Sequence, residues 1–330
     1  LPASLPAMVP SGIMVDRPRT EAAIRLIPSM LAGDMVYSPY QWSLKNTVQV
    51  AGVGLHGGRA VAMTIAPAPA DHGIVFYRTD IDNTKHDPVI KAIFSAVTTA
   101  RFSTRLSNKD GTCVNTVEHL MSALFAFGID NALISLDSDE VPILDGSAMG
   151  FLSLLEAGGL EKQTGTASNR RIYLQVLQPV VVESNDMTAS LLPADFLDID
   201  CQVNYPHPVI GHGRLNNFVS RDFFFEFIAP ARTFCLESQI PAMKQQGLAR
   251  GGSLDNAVVV GHDRVLNPGG LRFPDEFVRH KFLDIVGDLA LSPYRLLAKY
   301  QSSCGGHYLN NQVLHKLFSD KNNYRLVVLD

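Results

Sequence analysis

Val278-Arg279-His280-Lys281-Phe282-Leu283-Asp284-Ile285-Val286-Gly287-Asp288 decides how the rest of this chain is read. Wound as a helix, it sets His280, Asp284 and Asp288 at i, i+4 and i+8, near one face. Phe282, Leu283, Ile285, Val286 and Leu289 cover most of the remaining surface, so the polar stripe runs along a largely buried helix. An imidazole and a carboxylate one turn apart can grip a single metal ion, and a further carboxylate can orient what lies beyond it. Taken by itself the stretch reads equally as a solvated His–Asp pair without a metal, because His-x-x-x-Asp is far less specific than paired Cys-x-x-Cys.

A helix upstream carries the same opening. Thr116 to Phe127 is amphipathic, with Val117, Leu120, Met121, Ala123, Leu124 and Phe125 apolar and Gly128 where a C-cap belongs. Glu118-His119-Leu120 begins it as Arg279-His280-Lys281 begins the other. His119 meeting His280 and Asp284 across a domain interface gives two imidazoles, one carboxylate and an open fourth position, the ligand set of a catalytic zinc. Glu118 projects about 100° around the helix from His119, so it misses the metal but can take a proton from a water held there. Alone, His119 reads as a core histidine and Glu118 as a partner of the helix dipole. Taken with the second helix, the metal reading prevails.

The surrounding pattern predicts an α+β fold of two similar domains, each a small sheet layered against helices, with the active site between them. Residues 41–164 form the first domain and 165–330 the second, joined by a polar link at Gln163 to Asn169. In the first, strands are expected at Thr47–Val53, Ala60–Ala66, Gly73–Tyr77 and Asn131–Leu136, with a second helix from Ala148 to Ala157 capped by Ser147. In the second, strands are expected at Ile172–Val182, Thr188–Leu192, Leu197–Val203 and Arg325–Leu329, with helices at Phe277–Leu291 and Tyr308–Ser319. Residues 1–40 read as an irregular extension punctuated by Pro2, Pro6, Pro10, Pro18 and Pro28, with Met8, Met14, Met30 and Met35 as candidate starts.

Composition narrows the function. A net charge of −4 over 330 residues leaves no basic footprint, which argues against nucleic acid. No apolar run is long enough for a transmembrane segment. Four scattered cysteines, Cys113, Cys201, Cys235 and Cys304, fit free thiols in a reducing cytoplasm better than a disulfide framework.

Three further segments carry chemistry. His307 follows Gly305-Gly306 at the mouth of a helix, where it reads as a general acid or simply as part of a capping turn. Ala231-Arg232-Thr233-Phe234 precedes an insertion at about 235–260, centred on Gly251-Gly252-Ser253. Its Ile240, Met243, Leu248, Leu254 and Val258 to Val260 line an apolar passage or form a satellite core. His56, set among glycines, reads as a turn residue beside a site. His72, His86, His207, His212, His262 and His315 lack partners at ligand spacing.

From about Gln41 to Asp320 the chain resembles the zinc-dependent UDP-3-O-acyl-N-acetylglucosamine deacetylases of lipid A biosynthesis. The resemblance rests on motifs in order: Gly52-Val53-Gly54-Leu55-His56, Thr116-Val117-Glu118-His119-Leu120, Gly128-Ile129-Asp130-Asn131 and Val141-Pro142-Ile143-Leu144-Asp145-Gly146-Ser147-Ala148. Ala231-Arg232-Thr233-Phe234, Gly251-Gly252-Ser253, His280-Lys281-Phe282-Leu283-Asp284 and Gly306-His307 before Leu309-Asn310-Asn311 complete it. It implies one catalytic Zn2+, with Fe2+ as the alternative, on His119, His280 and Asp284, and Glu118 as the base. It further implies Thr233 at the oxyanion, His307 as the acid oriented by Asp288, and Lys281 near the phosphates or the developing charge. Phe234, Gly252 and Ser253 would join the insertion in enclosing the substrate's acyl chain. The implied protein is a cytoplasmic, monomeric Gram-negative enzyme acting on UDP-acyl-N-acetylglucosamine. Two departures stand near His307. Cys304 occupies a commonly basic position and Gly305 replaces a common serine. Cys304 leaves the reading of a deacylase of a related N-acyl sugar, and the reading from a different class is a silent paralogue that binds acylated nucleotide sugars.

Overall fold

The computed structural model describes residues 24, 25, 31, 33–164 and 169–330. The candidate starts Met8, Met14 and Met30, and most of the polar link before Asn169, lie outside those residues.

Alternation builds the first sheet. Val61, Met63 and Ile65 of strand Ala60–Pro67 are buried while their neighbours face outward, the period of two that a half-buried strand requires. Its spatial order is Val48–Val53, Ala60–Pro67, Ala132–Leu136, Ile74–Arg78, Val89–Lys91. Ala132–Leu136 runs antiparallel to Ala60–Pro67 and parallel to Ile74–Arg78. A smaller three-stranded sheet, Val97–Ala100, Thr104–Ser107 and Cys113–Val114, adjoins it in sequence.

Two helices follow in this half, α1 (Glu118–Phe127) and α2 (Met149–Gly158). Helix α1 starts two residues later than the apolar pattern predicts. Thr116 sits at a φ of 57°, a left-handed value that a β-branched residue resists and a helix cannot contain. Its hydroxyl donates to Glu140 Oε1 at 2.9 Å, which holds that turn. The helix ends where expected, on Gly128 at a φ of 91°.

The second half carries an eight-stranded sheet around a strand that the sequence did not announce, Arg295–Ser303. It pairs with Ile172–Val176, Met187–Pro193 and Asp198–Asn204. Leu296, Leu297, Ala298 and Tyr300 are buried, yet the stretch has no β-branched residue to signal a strand. The single strand expected over Ile172–Val182 is two, Ile172–Val176 and Val180–Ser184, divided at Pro179, which has no N–H to donate to a ladder. Ile24–Arg25 joins the far edge beside Tyr324–Leu329, and Leu31, Val36 and Tyr37 of the expected extension are buried in the main core.

Helices α3 (Glu276–Leu289) and α4 (His307–Phe318) belong to this half. Helix α3 packs on α1 and α4, and one apolar cluster runs through both halves, from Leu120 and Leu124 to Phe282, Val286 and Leu314. Helices α1 and α3 therefore lie inside, which is why every residue of α1 is buried, the polar ones included. Among the described residues no helix is long and apolar enough to cross a membrane.

Candidate metal and proton-transfer site

Gly287 sets the distance between the two central helices. A Cβ there would fall 2.0 Å from the Glu118 carbonyl oxygen, so α3 meets the first turn of α1 backbone to backbone. That approach places Glu118 and His119 against the polar stripe of α3. Glu118, His119, His280, Asp284, Asp288 and His307 are all buried in one group.

His119, His280 and Asp284 each offer a ligand atom, all within 4.8 Å of one another, and no other such group occurs among the described residues. Asp284 Oδ1 lies 3.3 Å from His280 Nε2 and 3.6 Å from His119 Nε2. The Ala231 carbonyl lies 3.0 Å from His280 Nδ1 and can only accept, so that nitrogen carries the proton and Nε2 keeps its lone pair. Asp284 Oδ1 is buried with no hydrogen-bond partner, a cost that proteins rarely carry without a cation to offset it. Two imidazole nitrogens and an orphaned carboxylate oxygen suit a borderline-soft dication such as zinc. The residues fit the ion.

Electrostatics favour the same reading. Burial pushes His280 down to about 3, so it stays neutral and able to ligate. Burial also works to raise Asp284, but the Lys281 ammonium outweighs it and holds the carboxyl well below its ordinary range. Lys281 Nζ donates to Asp284 Oδ2 at 2.7 Å, leaving Oδ1 toward the histidines.

The groups expected to transfer protons stand beside that cluster. His307 Nδ1 donates to Asp288 Oδ2 at 2.7 Å, so its Nε2 faces Glu118 Oε1 at 3.7 Å and Asp284 Oδ2 at 3.9 Å. Burial alone would lower His307, but the charges of Asp288 and Glu118 prevail and push it up to about 10. Glu118 moves up as well, because burial penalises its charged form more than His307 and His119 favour it. Asp288 is itself fixed by Thr104 Oγ1 at 2.6 Å and Asn310 Nδ2 at 2.7 Å, and Glu118 Oε2 accepts from Thr104 N at 3.0 Å.

Thr104, Asn310, Gly287 and the Ala231 carbonyl were not singled out in the sequence. Asn310 had a signal of its own, standing one turn after His307 on the same helix face, whereas Ala231 and Gly287 appeared only inside longer motifs. Arg232 anchors the Ala231 segment through its backbone N–H and Nε, which donate to buried Glu276 Oε1 at 3.0 and 2.9 Å.

The other expected residues lie around this centre. Thr233 is tied by its backbone to Gly146 and Val258, and the Phe234 ring is 6.3 Å from the His280 ring and 5.5 Å from Lys281 Nζ. Strands Phe234–Leu236 and Val258–Val260 pair in parallel, and Val258 and Val260 join Ile210 and Phe277 in a separate apolar cluster. Gly252 and Ser253 are exposed, on a turn where Asn256 Oδ1 accepts from Ser253 N. The insertion docks on the glycine turn through Arg250 N to His56 O at 3.1 Å and Gly251 N to Leu55 O at 3.0 Å. His56 is buried, and its backbone N–H donates to Glu140. Cys304 turns at a φ of 53° and donates its backbone N–H to Gln202 O.

Comparison with known proteins gives a consistent answer. A family model described as UDP-3-O-acyl N-acetylglycosamine deacetylase matches residues 41–319. The UDP-3-O-acyl-N-acetylglucosamine deacetylase of Nitratiruptor sp. is 41% identical over 287 residues, 87% of this chain and 93% of the relative. The protein of the same name from Myxococcus xanthus is 44% identical over 289 residues, 87% of this chain and 89% of the relative. That from Idiomarina loihiensis is 40% identical over 296 residues, 88% and 93% of the two chains.

Proposed function

The chain belongs to the UDP-3-O-acyl N-acetylglycosamine deacetylase family, and from that premise we propose how its buried cluster carries out the reaction. It is a hydrolase that removes the N-acetyl group from UDP-3-O-acyl-N-acetylglucosamine in lipid A biosynthesis. The family is a metalloenzyme family, and His119, His280 and Asp284 can hold a metal ion. We assign that ion as one zinc, with ferrous iron as the alternative. When bound, it supplies Lewis acidity toward the amide carbonyl and toward water.

The remaining chemistry belongs to side chains. Glu118, its affinity for a proton raised by burial, takes the proton of the attacking water. Thr233 donates a hydrogen bond to the oxygen that gains charge as the amide carbon becomes tetrahedral. His307, kept cationic by Asp288, gives its Nε2 proton to the nitrogen that leaves, since an amine departs only when protonated. Asp288 positions that ring and stabilises its charge. Lys281 binds near the phosphates or the developing charge, and Phe234, Gly252 and Ser253 act with the 235–260 insertion in enclosing the acyl chain. The enzyme works as a monomer in the cytoplasm of a Gram-negative cell.

One observation carries this reading: Glu118, His307 and the three residues that could hold a metal, drawn from both halves, converge in one buried group. A pure binding protein needs neither the base nor the acid. The test is acetate release from UDP-3-O-acyl-N-acetylglucosamine, with a chelator and with zinc added back. Loss on chelation and recovery with zinc are expected. Turnover indifferent to the chelator would overturn the metal assignment.

A further inference from the structure

A cavity of about 330 Å³ lies beside the later turns of α1, lined there by Leu124 and Phe125 and across from them by Arg171, Tyr294 and Arg295 of the second half. Its volume is that of a small-molecule site, and none of the metal or proton-transfer residues lines it. Three cations, Lys91, Arg171 and Arg295, face two carboxylates, Asp71 and Asp130, in its walls. Asp130 is already shared, accepting from Arg171 Nη2 at 2.7 Å and from Arg295 Nε at 3.2 Å. Asp71 accepts from Gln41 Nε2 at 2.8 Å. Burial first, and then the neighbouring Arg171, push Arg295 down to about 10, whereas for Arg171 burial is outweighed by Asp130 and Tyr173, which hold it above its ordinary value. Arg171 is buried, yet its Nε–H has no acceptor.

An excess of one positive charge, a spare guanidinium donor and apolar walls define the complementary ligand. We propose that this cavity binds a small amphipathic carboxylate, its head at the Arg171–Arg295 pair and its aliphatic body against Ile74, Ile93, Leu124 and Phe125. The Arg171 Nη atoms already serve Tyr173, Gly128 O and Asp130, and the Arg295 Nη atoms serve Phe125 O and Ile129 O, so the head takes the one unpartnered donor, Arg171 Nε–H, and its single negative charge balances the walls.

The test uses the full chain with 13C-labelled isoleucine methyls. Ile74, Ile93 and Ile172 report on the cavity, and Ile240 reports on the insertion, where the substrate's own acyl chain would compete for the probe. Sodium decanoate is titrated, with 1-decanol as the uncharged comparison. Saturable shifts and ligand contacts at the three cavity methyls are expected, at least tenfold weaker for the alcohol. Ile93→Trp fills the cavity without touching a buried arginine and should abolish them, the other methyl signals showing that the variant folds. Lys91→Glu, on an exposed side chain, should weaken the acid several-fold and leave the alcohol unchanged. Shifts confined to Ile240, equal affinities for acid and alcohol at the cavity methyls, or acid binding indifferent to Lys91→Glu would each overturn the proposal.

Discussion

Gly287→Ala is the sharpest test of how the site is held together. The added Cβ would lie 2.0 Å from the Glu118 oxygen, 2.7 Å from its carbonyl carbon and 3.0 Å from its Cα. Side-chain carbons essentially never approach closer than 3.0 Å, and every atom in the way is backbone, so the helices must part by about 1 Å. Such overpacking costs ~1–3 kcal/mol of stability. It also carries Glu118 and His119 away from Asp284, His280 and His307, and a misplacement of about 1 Å costs on the order of 10²-fold in rate. We expect kcat/KM to fall about that far, with weaker zinc retention and a lower Tm. Gly269→Ala, where nothing lies within 4 Å of the new carbon, serves as the neutral comparison. If Gly287→Ala kept kcat/KM within twofold of the parent while folded, the helix contact would not be what positions the base.

Three other outcomes follow from the same geometry. His119→Ala, His280→Ala and Asp284→Ala should each lose bound zinc, measured by metal analysis, along with turnover; stoichiometric zinc and full activity would strike that residue from the ligand set. The pH profile should be a bell. Activity rises as Glu118 ionises, above the ordinary carboxylate range because burial raises it, and falls as His307 deprotonates, at about 10 before a neighbouring dication pulls it down. Asp288→Asn removes the largest charge supporting His307, so the basic limb should move to lower pH, whereas His307→Ala should abolish that limb and cost ~10²–10⁴-fold in rate. An unchanged basic limb in His307→Ala would assign the acid elsewhere. Finally, a bulky residue at Gly252 or Ser253 should penalise long-chain substrates more than short ones, by up to ~0.8 kcal/mol for each buried methylene displaced; equal losses would remove both from the acyl path.

What could be read in advance depended on whether a signal was local. His280, Asp284 and Asp288 announce themselves because helical periodicity turns sequence spacing into a shared face. Glu118 and His119 became legible only because a second helix opens the same way. Thr104 is different: it reaches both Glu118 and Asp288 from a short strand, through contacts that no spacing encodes. Gly287 looks like an ordinary interior glycine until its neighbour is known. Arg295–Ser303 escaped because leucine, alanine, lysine and glutamine carry no strand preference, and its buried face, Leu296, Ala298, Tyr300 and Ser302, mixes small and polar residues with apolar ones, which blurs the alternation that marked Ala60–Pro67.

The shared layer between the halves has a thermodynamic consequence. His119 stands on one side of the α1–α3 seam, and His280 and Asp284 stand on the other. An ion coordinated across that seam binds the closed arrangement and not the parted one, so its binding energy is also cohesion between the halves. Linkage sets the scale: a ligand at about 1,000 times its dissociation constant adds ~4 kcal/mol to the state that binds it. Chelation should therefore lower the melting temperature and speed amide exchange along α1 and α3 before any change in the outer strands. An ion held there would act as a rivet as well as a reagent.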